Sequence, residues 1–121
     1  VHIDRNSAEK YKPEYDVLVR RFAETFARTS PAKEAMGAAI SVFEPGETIR
    51  EHVNKENVEE VFLVLEGEVD FALDGRHETI RTGDMGMAHI GEAHAFTNIG
   101  ADTARLLSIW WRAVPSPALV G

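Results

Sequence analysis

An all-β fold, an antiparallel sandwich or barrel, is what this sequence predicts, and three observations predict it. No segment after residue 37 holds a helical period of useful length. Turn signals return about every eight to twelve residues. Between them, short runs such as Val69, Phe71 and Leu73 alternate with Asp70 and Ala72, as half-buried strands do. At 121 residues the chain suits one core, and short connections favour local hairpins. The expected organisation is an N-terminal extension over 1–15, the barrel over 16–114 and a tail over 115–121.

Residues 1–14, with Pro13 and several charges, have little to bury and are expected to run over the surface. Over 16–26, Leu18, Phe22 and Phe26 recur at helical spacing, whereas the run Val17, Leu18, Val19 favours a strand. The reading adopted is a strand that ends near Phe22. Residues 29–34 are loop by composition, and 37–43 form a strand stopped by Pro45 and Gly46. Over 48–54, period-two alternation puts Arg50, His52 and Asn54 on one strand face. After a loop at 55–58, the strand 59–66 sets Glu60, Phe62 and Val64 against Val61, Leu63 and Leu65. Gly67 turns the chain into 69–73, and Asp74 and Gly75 mark a hairpin before 77–81. Segments 85–90 and 93–98 flank Gly91, the last strand spans 104–111, and Pro115 and Pro117 end the fold.

Composition narrows the chemistry. A net charge of −7 argues against a nucleic-acid groove or an anionic membrane surface, so partners are expected to be small molecules or copies of the chain. No cysteine is present, which leaves imidazole, carboxylate, amide and water as metal ligands. No apolar run approaches the roughly 20 residues of a membrane span, and a cytoplasmic protein is expected. The stretch 45–69 stands apart, because it places a histidine and carboxylates at regular spacing within apolar strands. Polar groups facing a barrel interior cost several kcal/mol unless paired or bound, so a metal or ligand site is the first candidate.

Two glycine-anchored segments then resemble the motifs of the cupin superfamily, small double-stranded β-helix (jelly-roll) barrels. The first motif reads PG, five residues, HxH, three or four residues, E, six residues, G. Here Gly46 is followed after five residues by His52, then Val53 and Asn54, and Glu60 is followed after six by Gly67. The second reads G, five residues, PxG, two residues, H, three residues, N; Gly83, Gly91, His94 and Asn98 match it, with His89 where the family has proline. The resemblance covers roughly residues 37–111. It implies that His52, Glu60 and His94 point inward and bind one divalent transition metal (iron, manganese, zinc, nickel or cobalt), while the glycines and Asn98 shape turns.

Asn54 replaces the second histidine of the first motif, and five residues rather than three or four separate it from Glu60. It is a weak ligand or an outer-shell partner, since an amide offers only a neutral oxygen. Two imidazoles and a carboxylate are the ligand set of the non-haem iron facial triad. Arg50, Phe62, His89 and Phe96 are the candidate pocket residues. Phe62 and Phe96 suit barrel core equally well, His89 suits a turn at the barrel mouth, and without a metal Glu60 would pair with Arg50. His77 and His2 are expected in solvent.

The resemblance implies a metal-dependent enzyme acting on a small oxygen-rich substrate, by oxygenation, isomerisation, or lyase or cyclase chemistry. The alternative is a non-catalytic small-molecule binder with a weakened or empty metal site. Val61, Leu63 and Leu65, with Leu107, Ile109 and Trp111, form apolar outer faces that predict a homodimer with Trp110 or Trp111 near the interface. The alternative cover is the N-terminal segment.

Overall fold

The computed structural model describes residues 3–22 and 35–113. Expectations for Phe26, the loop at 29–34, His2, Pro115, Pro117 and the tail lie outside the described residues.

Among the described residues, a 3-10 turn at Ala8–Lys10 is followed by ten antiparallel strands: β1 (Lys12–Glu14), β2 (Val17–Arg21), β3 (Met36–Phe43), β4 (Thr48–His52), β5 (Val58–Glu66), β6 (Glu68–Leu73), β7 (Arg76–Arg81), β8 (Met85–Ala88), β9 (His94–Asn98) and β10 (Ala104–Arg112). They form a six-stranded sheet in the order β1-β2-β3-β10-β5-β8 and a four-stranded sheet in the order β4-β9-β6-β7. The all-β jelly roll expected from the sequence is the fold observed.

Alternation builds the interior. On β5, Glu60, Phe62 and Val64 face inward; on β10, Ala104, Leu106 and Ser108; on β9, His94, Phe96 and Asn98. Phe43, Phe96, Leu106, Val64 and Val69 are fully buried between the sheets. Phe71 stacks on Phe96 at 4.8 Å and 3°, and Phe62 tilts against both. The hairpin between β6 and β7 turns on Asp74 and Gly75, both with positive φ (48° and 81°), as the Asp-Gly signal requires.

The core leaves no room beside Phe71. A Cβ on Gly86 would sit 2.6 Å from the Phe71 ring. Gly86→Ala is therefore expected to destabilise the fold by about 1–3 kcal/mol through overpacking, read as a lower urea midpoint at unchanged slope.

Two local expectations change, and a buried Arg20 adds a feature the sequence did not signal. Residues 3–14 do run along the surface, but Lys12–Glu14 also joins the sheet as a short edge strand, a place where Pro13 is tolerated. Near β2, Arg20 is buried because its guanidinium bonds Asp4 and Asn6 of that segment (2.8 and 3.0 Å). Finally, Arg50 does not share an inward face with His52. Between Ile49, opposite Phe96, and His52, opposite His94, β4 advances three residues while β9 advances two. This β-bulge turns both Ile49 and His52 inward and leaves Arg50 exposed.

Candidate metal centre

Three strands bring the proposed ligands together. The bulge on β4 turns His52 toward its partner His94 on β9, and the alternation of β5 aims Glu60 into the same end of the barrel. The two imidazoles meet edge to face with centroids 4.4 Å apart. His94 Nε2 lies 3.6 Å from Glu60 Oε1, too long for a hydrogen bond.

Both rings are held through Nδ1. His52 Nδ1 is 2.8 Å from the Arg50 carbonyl, and His94 Nδ1 is 3.0 Å from the Glu92 carbonyl. A carbonyl only accepts, so each Nδ1 carries the proton, and in the neutral ring each Nε2 keeps its lone pair. His94 Nε2 is buried without a hydrogen-bond partner. Glu60 Oε1 accepts a hydrogen bond from Asn54 Nδ2 at 3.1 Å. Asn54 thus presents its amide N–H to the carboxylate. Among the described residues, no three histidine, aspartate or glutamate side chains are gathered into a preformed metal cage.

The two histidines differ electrostatically. Burial, reinforced by the nearby His94, lowers the pKa of His52 despite the Arg50 carbonyl. Burial also pulls His94 down, but the approach of Glu60 and the contact with the Glu92 carbonyl outweigh it, and its pKa rises.

Beside His52 and Glu60 opens a recess of about 570 Å³, walled also by Tyr15, Arg21, Asn54 and Trp110 among others; His94 lies behind them and does not line it. It adjoins an inner pocket of about 50 Å³ that Phe62 and Phe96 line with Ser41 and Ser108. Phe62 also tilts against His94 at 5.3 Å. Two expected pocket residues lie elsewhere. Arg50 is exposed beside Tyr15, 5.9 Å from its ring centroid, and the partner of Glu60 is Asn54 rather than Arg50. His89 is on the outer surface, 2.9 Å from Glu59, where that carboxylate raises its pKa; its β8-to-β9 turn is closed by Glu92. His77 is likewise exposed and paired with Asp70.

Sequence reasoning missed Tyr15 and Arg21. Tyr15 stacks on His52 with centroids 4.1 Å apart and 18° between planes. Arg21 lies over Trp110 at 5.5 Å while Glu14 holds its guanidinium with bonds of 2.7 to 3.0 Å. Trp110, expected near a dimer interface, was missed as well, although it follows the inward alternation of Leu106 and Ser108 on β10; nothing comparable marks Tyr15.

Comparison with known proteins bears on the family and the fold. A family model described as "Cupin domain" matches residues 39–110. Polyketide synthase CurC from Streptomyces cyaneus is 32% identical over 80 residues, which cover 66% of this chain and 51% of that protein. The match thus spans about half the length of that curated relative. Among solved structures, the plu4264 protein from Photorhabdus luminescens superposes with a TM-score of 0.77 at 19% identity, covering 90% of this chain and 86% of the other. A Cupin 2 conserved barrel domain protein from Salinispora arenicola gives 0.74 at 18%, covering 99% and 92%. At these identities the structures bear on the fold alone.

Proposed function

Because the chain belongs to the cupin family, we propose that it binds one divalent transition metal through His52, Glu60 and His94 and acts on a small oxygen-rich molecule in the recess. The observation that carries this reading is the common state of the imidazoles. Each has Nδ1 tied to a main-chain carbonyl, the arrangement that frees and orients Nε2 for ligation, and the buried Nε2 of His94 has no other partner. Two imidazoles and a carboxylate suit iron, manganese, zinc, nickel or cobalt. Asn54 then acts from the outer shell by orienting Glu60. When bound, the metal supplies a Lewis-acid or redox centre.

The chain's own groups suit an oxygen-rich guest. Tyr15, Asn54, Trp110 and Arg21, the last ion-paired with Glu14, wall the recess, and Ser41 and Ser108 line the inner pocket. The name of the Streptomyces cyaneus relative supports a substrate with several carbonyl oxygens, and oxygenase, isomerase, lyase or cyclase chemistry all accord with it. A second reading, a small-molecule binder without turnover, is favoured by the lack of a preformed cage among the described residues.

Elemental analysis of protein purified without chelator, followed by reconstitution with each candidate metal, separates the two. The first reading expects about one equivalent. Less than about a tenth of an equivalent, with no uptake on reconstitution, sinks it. Metal must displace a proton from each protonated imidazole, so affinity weakens as pH falls. His94, whose pKa is raised, remains protonated to higher pH than His52 and sets the acid limb. Zinc titrations from pH 8 to pH 5.5 should show that loss, and a pH-independent affinity would contradict imidazole ligation.

We also propose a cytoplasmic homodimer. A cysteine-free chain needs no oxidising compartment to fold, and among the described residues no helix is long and apolar enough to cross a membrane. Support for the dimer comes from the outer face of the six-stranded sheet, where Ile40, Leu107, Leu63 and Met85 form one row and Ala38, Ile109, Val61 and Met87 the next. Trp111 shares this face; Trp110 walls the recess instead. The N-terminal segment covers the β2 end, where Arg20 is buried. Light scattering after size exclusion should give twice the chain mass at micromolar concentration and one chain mass for Leu107→Arg. A monomeric unsubstituted protein contradicts the dimer.

A further inference from the structure

The hairpin that joins β1 to β2 turns on Tyr15 and Asp16, and both have positive φ, 51° and 71°. Glu14 pairs with Val17 across it, so it is a two-residue turn of the type that favours asparagine and glycine. A bulky aromatic residue seldom adopts this left-handed backbone, and such a conformation persists only where the surroundings hold it.

Besides its packing against the core and the Arg50 side chain, Tyr15 makes two contacts that lead to His52. Its ring lies parallel on the imidazole at 4.1 Å. Its carbonyl accepts the Arg50 N–H at 3.0 Å, and the Arg50 carbonyl in turn holds His52 Nδ1 at 2.8 Å. His52 also meets His94 edge to face. The need for such a clamp differs between the two histidines. His94 is 1% exposed and packed against Phe62, so burial fixes its ring. His52 is only partly buried, at the end of an outer strand of its sheet and just beyond a bulge, where neither pairing nor packing alone sets its orientation.

From this geometry we infer that Tyr15 is a positioning residue that holds the His52 imidazole with Nε2 directed at the metal position. The inference rests on the metal reading above and extends it to a residue outside the stretch 39–110 that matches the family. The β1-β2 hairpin is then part of the centre, joining the two sheets at its mouth.

Tyr15→Phe keeps the ring and should leave zinc affinity within about twofold. Tyr15→Leu removes it and should weaken zinc about tenfold, at the lower end of the range for lost outer-shell partners. The second readout needs no metal. In the metal-free protein, nitrogen-15 shifts should report His52 as the Nδ1–H tautomer in the unsubstituted chain and in Tyr15→Phe, and as an average of tautomers in Tyr15→Leu. Should Tyr15→Leu fail to fold, Tyr15→Met, a flexible chain without the planar face, takes its place with the same expectations. Unchanged zinc affinity and an unchanged tautomer in the ring-less variant overturn the inference. If the unsubstituted protein binds no metal, the metal reading fails, and the His52 tautomer alone still decides whether Tyr15 positions that ring.

Discussion

Replacing His94 with alanine removes tight metal binding: zinc affinity falls by more than about 100-fold, beyond the roughly 10–100-fold that loss of an outer-shell partner costs. The reason is that, among the described residues, no other histidine can take its place. His94 is 1% exposed, its Nε2 faces Glu60 across 3.6 Å, and Phe62 packs against its ring. Neither exposed histidine of the barrel, His77 or His89, lines the recess; each pairs with its own carboxylate outside it. Asn54→Ala should cost only about tenfold, because it removes the hydrogen bond that orients Glu60 and leaves the carboxylate itself in place. Competition against a chromophoric chelator measures both. Equal losses in the two variants would contradict the separate roles given to them.

Asn98→Ala is expected to cost about 2–4 kcal/mol of stability, the sum of several buried hydrogen bonds whose partners are left unsatisfied. The amide is 1% exposed. Its Nδ2 donates to the Phe43 carbonyl at 3.0 Å and the Asp102 carbonyl at 2.8 Å, while Oδ1 accepts the Gly100 N–H at 2.9 Å. One side chain thus ties the end of β3 to the turn that leads into β10. The melting temperature should fall on the order of 10 °C. Asn98→Asp is the control: it keeps the Gly100 bond but sets a carboxylate against two carbonyl oxygens, and should be no more stable than alanine. A loss below about 1 kcal/mol in either would show that this corner holds without the amide.

Much of this was legible in the sequence, because motif spacing encodes turns and strict alternation encodes strand faces. Asn98 falls where its motif predicts a turn-shaping residue, and the turn bonds bear that out. Glu60, Phe62 and Phe96 face inward because β5 and β9 keep period two without interruption. The same rule misplaced Arg50, since a bulge adds one residue between Ile49 and His52 and reverses the alternation for what lies between. His89 stands at a motif position yet points outward, because its turn directs it to Glu59. Tyr15 was invisible for a different reason. Left-handed turns are read from glycine, asparagine and aspartate, and a tyrosine stabilised there by a tertiary stack leaves no local signal.

The central claim, that His52, Glu60 and His94 hold one metal, is tested most directly by anomalous diffraction from crystals of the zinc-reconstituted protein at the zinc absorption edge. The account predicts a single strong peak at the base of the recess, about 2.0–2.2 Å from Nε2 of His52, Nε2 of His94 and a carboxylate oxygen of Glu60. A recess without a peak in crystals of fully reconstituted protein, or zinc found only at surface histidines such as His77 or His89, would contradict it.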